Sequence, residues 1–167
     1  ALLGLREGVP PKGVASRVLS RERLVVVFPP GHPRGGSSAV ELSDLAGMTF
    51  ADFPAGTSGR AQSDGAFLAA GLSRDVAFEA DSATLILGLV EAGLAVTLLA
   101  PGTVARSAAH VVTAQVHGGP VRVEYLAWDA AAARQVARAF VAVVDALVDA
   151  PAYDEAGPEM NSEPASH

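Results

Sequence analysis

The stretch that decides the fold is DSATLILGLVEAGLAVTLLAP, residues 81–101. An Asp-Ser pair stands before an apolar run, which is how a capped helix begins. Leu85, Leu87, Leu89 and Val90 leave almost no polar face, so a helix over Thr84–Ala92 is expected to be buried on more than one side. Gly93 occupies the position where a left-handed residue ends a helix. Leu94–Leu99 then reads as a short buried strand, broken by Ala100-Pro101-Gly102. Helix, Gly, strand and Pro-Gly turn in so few residues make half of a βαβ unit. The polar start of such a helix is also a place to hold an anion.

Working outward, Met48–Phe53 and Val76–Glu79 read as strands. Between them the polar loop Pro54–Gly59, PAGTSG, opens a helix over Arg60–Ala70 that Gly71 closes. Residues 48–99 thus run strand, helix, strand, helix, strand, and the fold class is α/β. Val40–Ala46 reads as one turn of helix with Leu42 and Leu45 inward. Upstream, Ala1–Leu5, Ser16–Leu19 and Leu24–Phe28 read as extended. The run LVVVF is continuous and β-branched, which suits a strand buried on both faces. Gly8–Gly13 and Pro29–Ser38 are loops by composition. Downstream, Thr103–Ser107 is weakly helical, and Val111–Val116 and Val121–Trp128 are extended on either side of the turn His117–Pro120. Ala131–Val148 carries Val136, Phe140, Val143, Val144 and Leu147 on one stripe, an amphipathic helix of about five turns. Residues 151–167 are acidic, polar and Pro-containing, the composition of a disordered tail.

This order predicts two lobes: residues 1–28 with 117–150 form one, and residues 29–116 the other. The chain crosses between them twice, and a small molecule is expected in the cleft.

Composition excludes several functions. The 167 residues include no Cys, so thiolate catalysis and Cys-based zinc sites are absent. Net charge is −6, a poor basis for direct duplex-DNA binding. Six basic residues fall within the first 34, without interleaved aromatics, and read as a solvated face. The four histidines (His32, His110, His117, His167) show no ligand spacing, so no metal and no cofactor are expected. Gly56-Thr57-Ser58-Gly59 is not a nucleophile elbow, because the second Gly comes one residue early. No Walker A loop is present, and Asp52 and Asp64 have no sequence reason to meet. No nucleophile–base constellation supports an enzyme. No run is long and apolar enough to span a bilayer. The opening residues are neither Met nor a signal peptide and read as the middle of a longer chain.

Four segments in order, PPGHP, the DLAG turn, the FP-G-S loop before a helix, and LVEAGLAVTLLAP, resemble the effector-binding domain of LysR-type transcriptional regulators. The resemblance covers residues 1 to about 149. It implies a type II periplasmic-binding-protein-like fold with two α/β lobes joined by two crossing strands, the first lobe incomplete. It also implies a cytoplasmic, homo-oligomeric transcription factor whose DNA-binding helix-turn-helix lies outside this chain, and no membrane partner. The expected ligand is a small-molecule effector, for which a carboxylate is one candidate. A periplasmic-type solute-binding protein of a transporter has the same fold and is the alternative.

Two helix starts are the candidate site. Thr57, Ser58, Gly59 and Arg60 combine free N–H groups, a hydroxyl and a guanidinium that would converge on a carboxylate. The plainer reading has Ser58 cap the helix and Arg60 face solvent. Ser82, Ala83 and Thr84 form the second start, again with simple capping as the plainer reading. Asp81 would oppose an anion, so it is expected to point away or pair with a positive group; the alternative is a ligand that is not a simple anion. Pro54 is a candidate wall of the pocket, whereas Phe53 reads first as core.

Overall fold

The computed structural model describes residues 1–131 and 135–149; the acidic tail lies outside them. The elements in chain order are β1 (Leu2–Arg6), β2 (Ala15–Arg23), β3 (Val25–Phe28), β4 (Ala39–Glu41), a 3₁₀ turn (Leu42–Leu45), β5 (Thr49–Asp52), α1 (Ser58–Ala69), β6 (Asp75–Glu79), α2 (Ala83–Glu91), β7 (Thr97–Leu99), α3 (Pro101–Ala105), β8 (Val112–His117), β9 (Val121–Trp128) and α4 (Gln135–Asp149).

The strands form two systems. The smaller is antiparallel, in the order β1-β9-β2. The larger is built around β3, whose backbone pairs with β7 on one side and β8 on the other, both antiparallel. β4 adds in parallel to β8, and β5 pairs in parallel with β6. β5 also meets β7 through a parallel bridge from Phe50 to Val96, closed by Ala51 N–H to the Val96 carbonyl (3.0 Å) and Val96 N–H to the Thr49 carbonyl (2.9 Å). The unit β5-α1-β6-α2-β7 is therefore the expected alternation of strand and helix. Strand pairing places Val25–Phe28 with the larger sheet, so the chain leaves the smaller one at Leu24 rather than after Phe28. It returns through the turn at Gly118–Pro120, and the two passages touch: Leu24 N–H donates to the Pro120 carbonyl (2.9 Å).

β3 is buried along its whole length, as its unbroken β-branched run requires. Val26 and Phe28 join one core cluster with Leu42, Leu45, Phe50 and Phe67, while Val27 joins another with Leu87, Val90 and Leu99 from α2 and β7. A sheet covered on both faces needs apolar residues at successive positions, not alternate ones.

Both long helices of this region end the same way. Gly71 and Gly93 take φ of 68° and 75°. Leu72 N–H then reaches back to the Phe67 carbonyl (2.8 Å), and Leu94 N–H to that of Leu89 (3.1 Å), which satisfies carbonyls the helix leaves open.

Several expectations are corrected. α2 is not apolar to the core all round: Ile86, Leu87 and Val90 are buried, but Leu85 is 59% exposed. Ile86, Leu87 and Val90 lie about 100°, 200° and 140° round the helix from Leu85, which puts Leu85 opposite the buried face. Val40 belongs to a strand, β4, before the helical turn. Only Thr97–Leu99 of the expected strand 94–99 is regular, because Leu94 completes the cap. α3 begins at Pro101, where a missing N–H costs a helix nothing.

α4 is a separate compact unit, starting after Ala130. It is a 15-residue helix, and Phe140 and Val143 of its apolar stripe are exposed. An apolar stripe calls for a partner surface but does not name it.

The burial difference on α2 has a measurable consequence. Ile86→Ala is expected to lower unfolding free energy by about 2–5 kcal/mol, as truncation of a buried aliphatic does. Leu85→Ala should stay within about 0.5 kcal/mol of wild type. Urea unfolding of the two variants side by side checks this; equal losses would refute the assigned facing of α2.

Candidate functional site

The site begins where β5 ends. Phe53 and Pro54 leave the sheet, and Thr57 turns the chain into α1. Thr57 is the N-cap: its hydroxyl donates to the Pro54 carbonyl (2.8 Å) and accepts from Arg60 N–H (3.3 Å). Ser58, expected to cap, is the first helical residue and is exposed. Capping requires the extended backbone that Thr57 has (φ −77°, ψ 153°), and Ser58 is already helical. Gly59 packs on the Phe53 ring, where an added Cβ would come 2.8 Å from Cδ2. At the second start, Ser82 caps α2 by accepting from Thr84 N–H (3.2 Å), as the plainer reading has it.

These two starts face a cavity of about 230 Å³. Gly59 of α1 and Ala83 of α2 line it, with Phe53, Leu98 and Leu99 as apolar wall and Thr103 of α3 as a hydroxyl. The remaining polar groups are Gln62 and Arg122. Of the eight candidate residues, Gly59 and Ala83 line this cavity; Pro54, Thr57, Ser58, Arg60, Ser82 and Thr84 stand around it without lining it. Asp81 is exposed and also outside the lining.

Arg60 is not simply solvated but is held within the protein. Its guanidinium donates to Asp64 (3.0 Å), Glu79 (3.0 Å) and the Phe53 carbonyl (3.2 Å). Its pKa is raised: burial alone would lower it, but the hydrogen bonds to Asp64 and Glu79 outweigh that. Arg60 is thus a brace between α1, the end of β6 and the loop at Phe53.

Behind it lies Arg74, on the segment joining α1 to β6, with its side chain 3% exposed. It lies over the rings of Phe50 and Phe67, 5.1 and 5.5 Å from their centroids. It brings together the two carboxylates that sequence spacing kept apart. Asp64 accepts from Arg74 Nη2 at 2.8 Å, and Asp52, 1% exposed, meets Nη1 at 2.7 Å as a charge contact off the line of a hydrogen bond. Asp52 also accepts from Phe53 N–H (2.7 Å). Burial raises the Asp52 pKa and prevails over Arg74, which lowers it. At half-exposed Asp64, burial also raises the pKa, but the hydrogen bonds from Arg74 and Arg60 prevail and hold it below the ordinary value of 3.8.

The cation that does line the cavity is Arg122 on β9. Its Nε donates to Glu124 (3.1 Å), leaving its Nη groups for other partners. The guanidinium lies across Gly4 of β1, where any side chain would collide with it. Gln62, almost fully buried, reaches the Gly4 carbonyl at 3.5 Å, the outer limit of a hydrogen bond. Among the described residues, no group of three His, Cys, Asp or Glu is placed to hold a metal ion. Among them, too, no helix is long and apolar enough to cross a membrane.

A family model for the LysR substrate binding domain matches residues 1–148. The chain belongs to that family. Its fold is the type II periplasmic-binding-protein-like fold, and this LysR domain is the ligand-sensing module of LysR-family transcriptional regulators. The CcmR regulatory domain of Synechocystis PCC6803, solved in complex with 2-PG, superposes with a TM-score of 0.77 at 19% identity, covering 89% of this chain and 73% of that one. A C-terminal domain of a probable LysR family regulator from Rhodococcus sp. RHA1 gives 0.69 at 24% identity, with 86% and 73% covered. Full-length CbnR, complexed with its target DNA, gives 0.72 at 21% identity; 89% of this LysR domain matches 53% of that chain.

Two stability measurements follow from the charge network. Asp52→Asn strips the buried Arg74 of a counter-charge and should cost about 3–5 kcal/mol in urea unfolding. Asp64, with its lowered pKa, contributes stability above pH 3.8 that is lost as pH falls through its folded value; Asp52, with its raised pKa, runs the opposite way. Stability of Asp64→Asn should therefore fall less steeply below about pH 4 than wild type, and an unchanged acid limb would contradict the assignment.

Proposed function

We propose that this LysR domain senses a small organic anion, a carboxylate with a compact apolar body, in the cavity between the α1 and α2 starts and Arg122. The intact protein is then a cytoplasmic, homo-oligomeric regulator without enzymatic activity, in which the ligand alters DNA binding by a helix-turn-helix segment outside these residues. The lobes in this reading are the β1-β9-β2 sheet and the larger sheet, joined at Leu24 and at Gly118–Pro120. A ligand biases their arrangement only by its differential affinity for the arrangements it meets.

The observation that carries the reading is the lining itself. Phe53, Leu98 and Leu99 offer apolar contact, Gln62 and Thr103 neutral hydrogen bonds, and Arg122 the one formal charge among the described residues. A guanidinium with open donors at the edge of an apolar pocket suits a carboxylate. The volume of about 230 Å³ restricts the ligand to a few carbon atoms beyond that group. The ligand-bound CcmR domain and the DNA-bound CbnR support the same reading.

A panel of small carboxylates screened by thermal shift tests it. A binder at 100 times its dissociation constant adds about 2.7 kcal/mol, several degrees in Tm for a domain of this size. Arg122→Leu is expected to weaken that binder at least about tenfold, and Arg60→Leu much less. An Arg122→Leu protein that folds and binds with unchanged affinity would refute the proposed anchor.

A further inference from the structure

We propose a second anion site in this LysR domain, in a cavity of about 510 Å³ that shares Gln62 with the first. Its walls come from the end of β1, the middle of α1, the end of β2 and the turn from β8 into β9. These segments include both passages between the sheets, so an occupant bridges them.

The charge of the lining is the first argument. The chain as a whole is acidic, at −6, yet Arg6 and Arg23 both border this cavity. Its one carboxylate among the described residues, Glu7, is already bound to Arg21 (3.1 Å). Arg23 uses Nη1 on the Gly119 carbonyl (3.1 Å) and keeps its other donors. The Arg6 side chain makes no hydrogen bond or ion pair with another described residue. Two guanidiniums with open donors, against a neutralised carboxylate, leave an excess of positive charge that one dianion balances.

The second argument is the bareness of α1 where it borders the cavity. Gln62, Gly65 and Ala66 share one face by their spacing of three and four residues. Gly65 is inside the helix, where Gly is less favourable than Ala. An added Cβ there would come within 3.1 Å of Arg6 Nη1. The helix forgoes a methyl group, and the Arg6 side chain lies in the space it would fill. The pair of forked donors favours a compact oxyanion of charge −2, a phosphate or short dicarboxylate, over the monoanion with an apolar body proposed for the first cavity.

The test is titration with inorganic phosphate and, separately, malonate, by calorimetry at constant ionic strength with chloride as the screening control. Saturable binding of either probe is expected, weakened at least tenfold in Arg6→Leu/Arg23→Leu and unaffected in Arg122→Leu and in Arg106→Gln, two charges outside the lining. Gly65→Ala, which alters no charge and favours the helix, should also weaken the probe by displacing Arg6. Three results would each overturn the site: no saturable binding of either probe; equal weakening in Arg106→Gln, which marks general charge attraction; or loss in Arg122→Leu with retention in Arg6→Leu/Arg23→Leu, which places the anion in the first cavity. A carboxylate binder that depends on Arg122 while phosphate and malonate fail would separate the two proposals, sustaining the first and sinking the second.

Discussion

The buried contact between Arg74 and Asp52 is the constraint on which the shape of the site rests. A guanidinium held among Phe50 and Phe67 is tolerable only with a counter-charge beside it. Asp52 is the last residue of β5, and Arg74 comes just before β6. Their contact therefore fixes the end of one strand to the approach of its parallel neighbour. Asp64 and then Arg60 extend the chain of charges out to Glu79 and to the carbonyl of Phe53. The loop that presents Phe53 and Gly59 is thus tied at its base by ions and at its tip by the Thr57 cap. Such pairs are poor sources of net stability but costly to break, so their effect is to specify one arrangement.

That arrangement decides what each arginine does. Three acceptors already hold Arg60 through its Nε and Nη1, and Arg60 is not among the residues that line the cavity. Arg122 spends one donor on Glu124 and lies over a glycine in the neighbouring strand. The difference is set by what surrounds each side chain, since both carry the same charge at any pH the fold survives.

Much of the fold was legible in the sequence because it depends on local chemistry. Gly71 and Gly93 mark helix ends by their left-handed backbone, and Ser82 marks a helix start by its hydroxyl. The run at Val25–Phe28 announces burial on both faces. What escaped was set by distant pairing. Arg74 looks like any loop arginine until the β5–β6 register puts it on Asp52. Arg122 sits in a strand of alternating polarity, and nothing in VRVEYLAW says that Gly4 lies beside it. Ser58 and Thr57 are both good caps, and the backbone turn chooses between them. Leu85 is apolar and exposed because one helix face has no sheet to meet. The pattern of segments that resembles LysR regulators was the stronger guide to family; the residues facing the cavity were only partly foreseen, at Gly59 and Ala83.

In the proposed site Arg122, not Arg60, meets the anion, because Arg122 lines the cavity and Arg60 does not. The most direct measurement is NMR of ¹⁵N-labelled arginine side chains during titration with a carboxylate that raises the melting temperature. The Arg122 guanidinium signals should move with saturation while those of Arg60 stay in place. Movement of Arg60 with a silent Arg122 would contradict the claim.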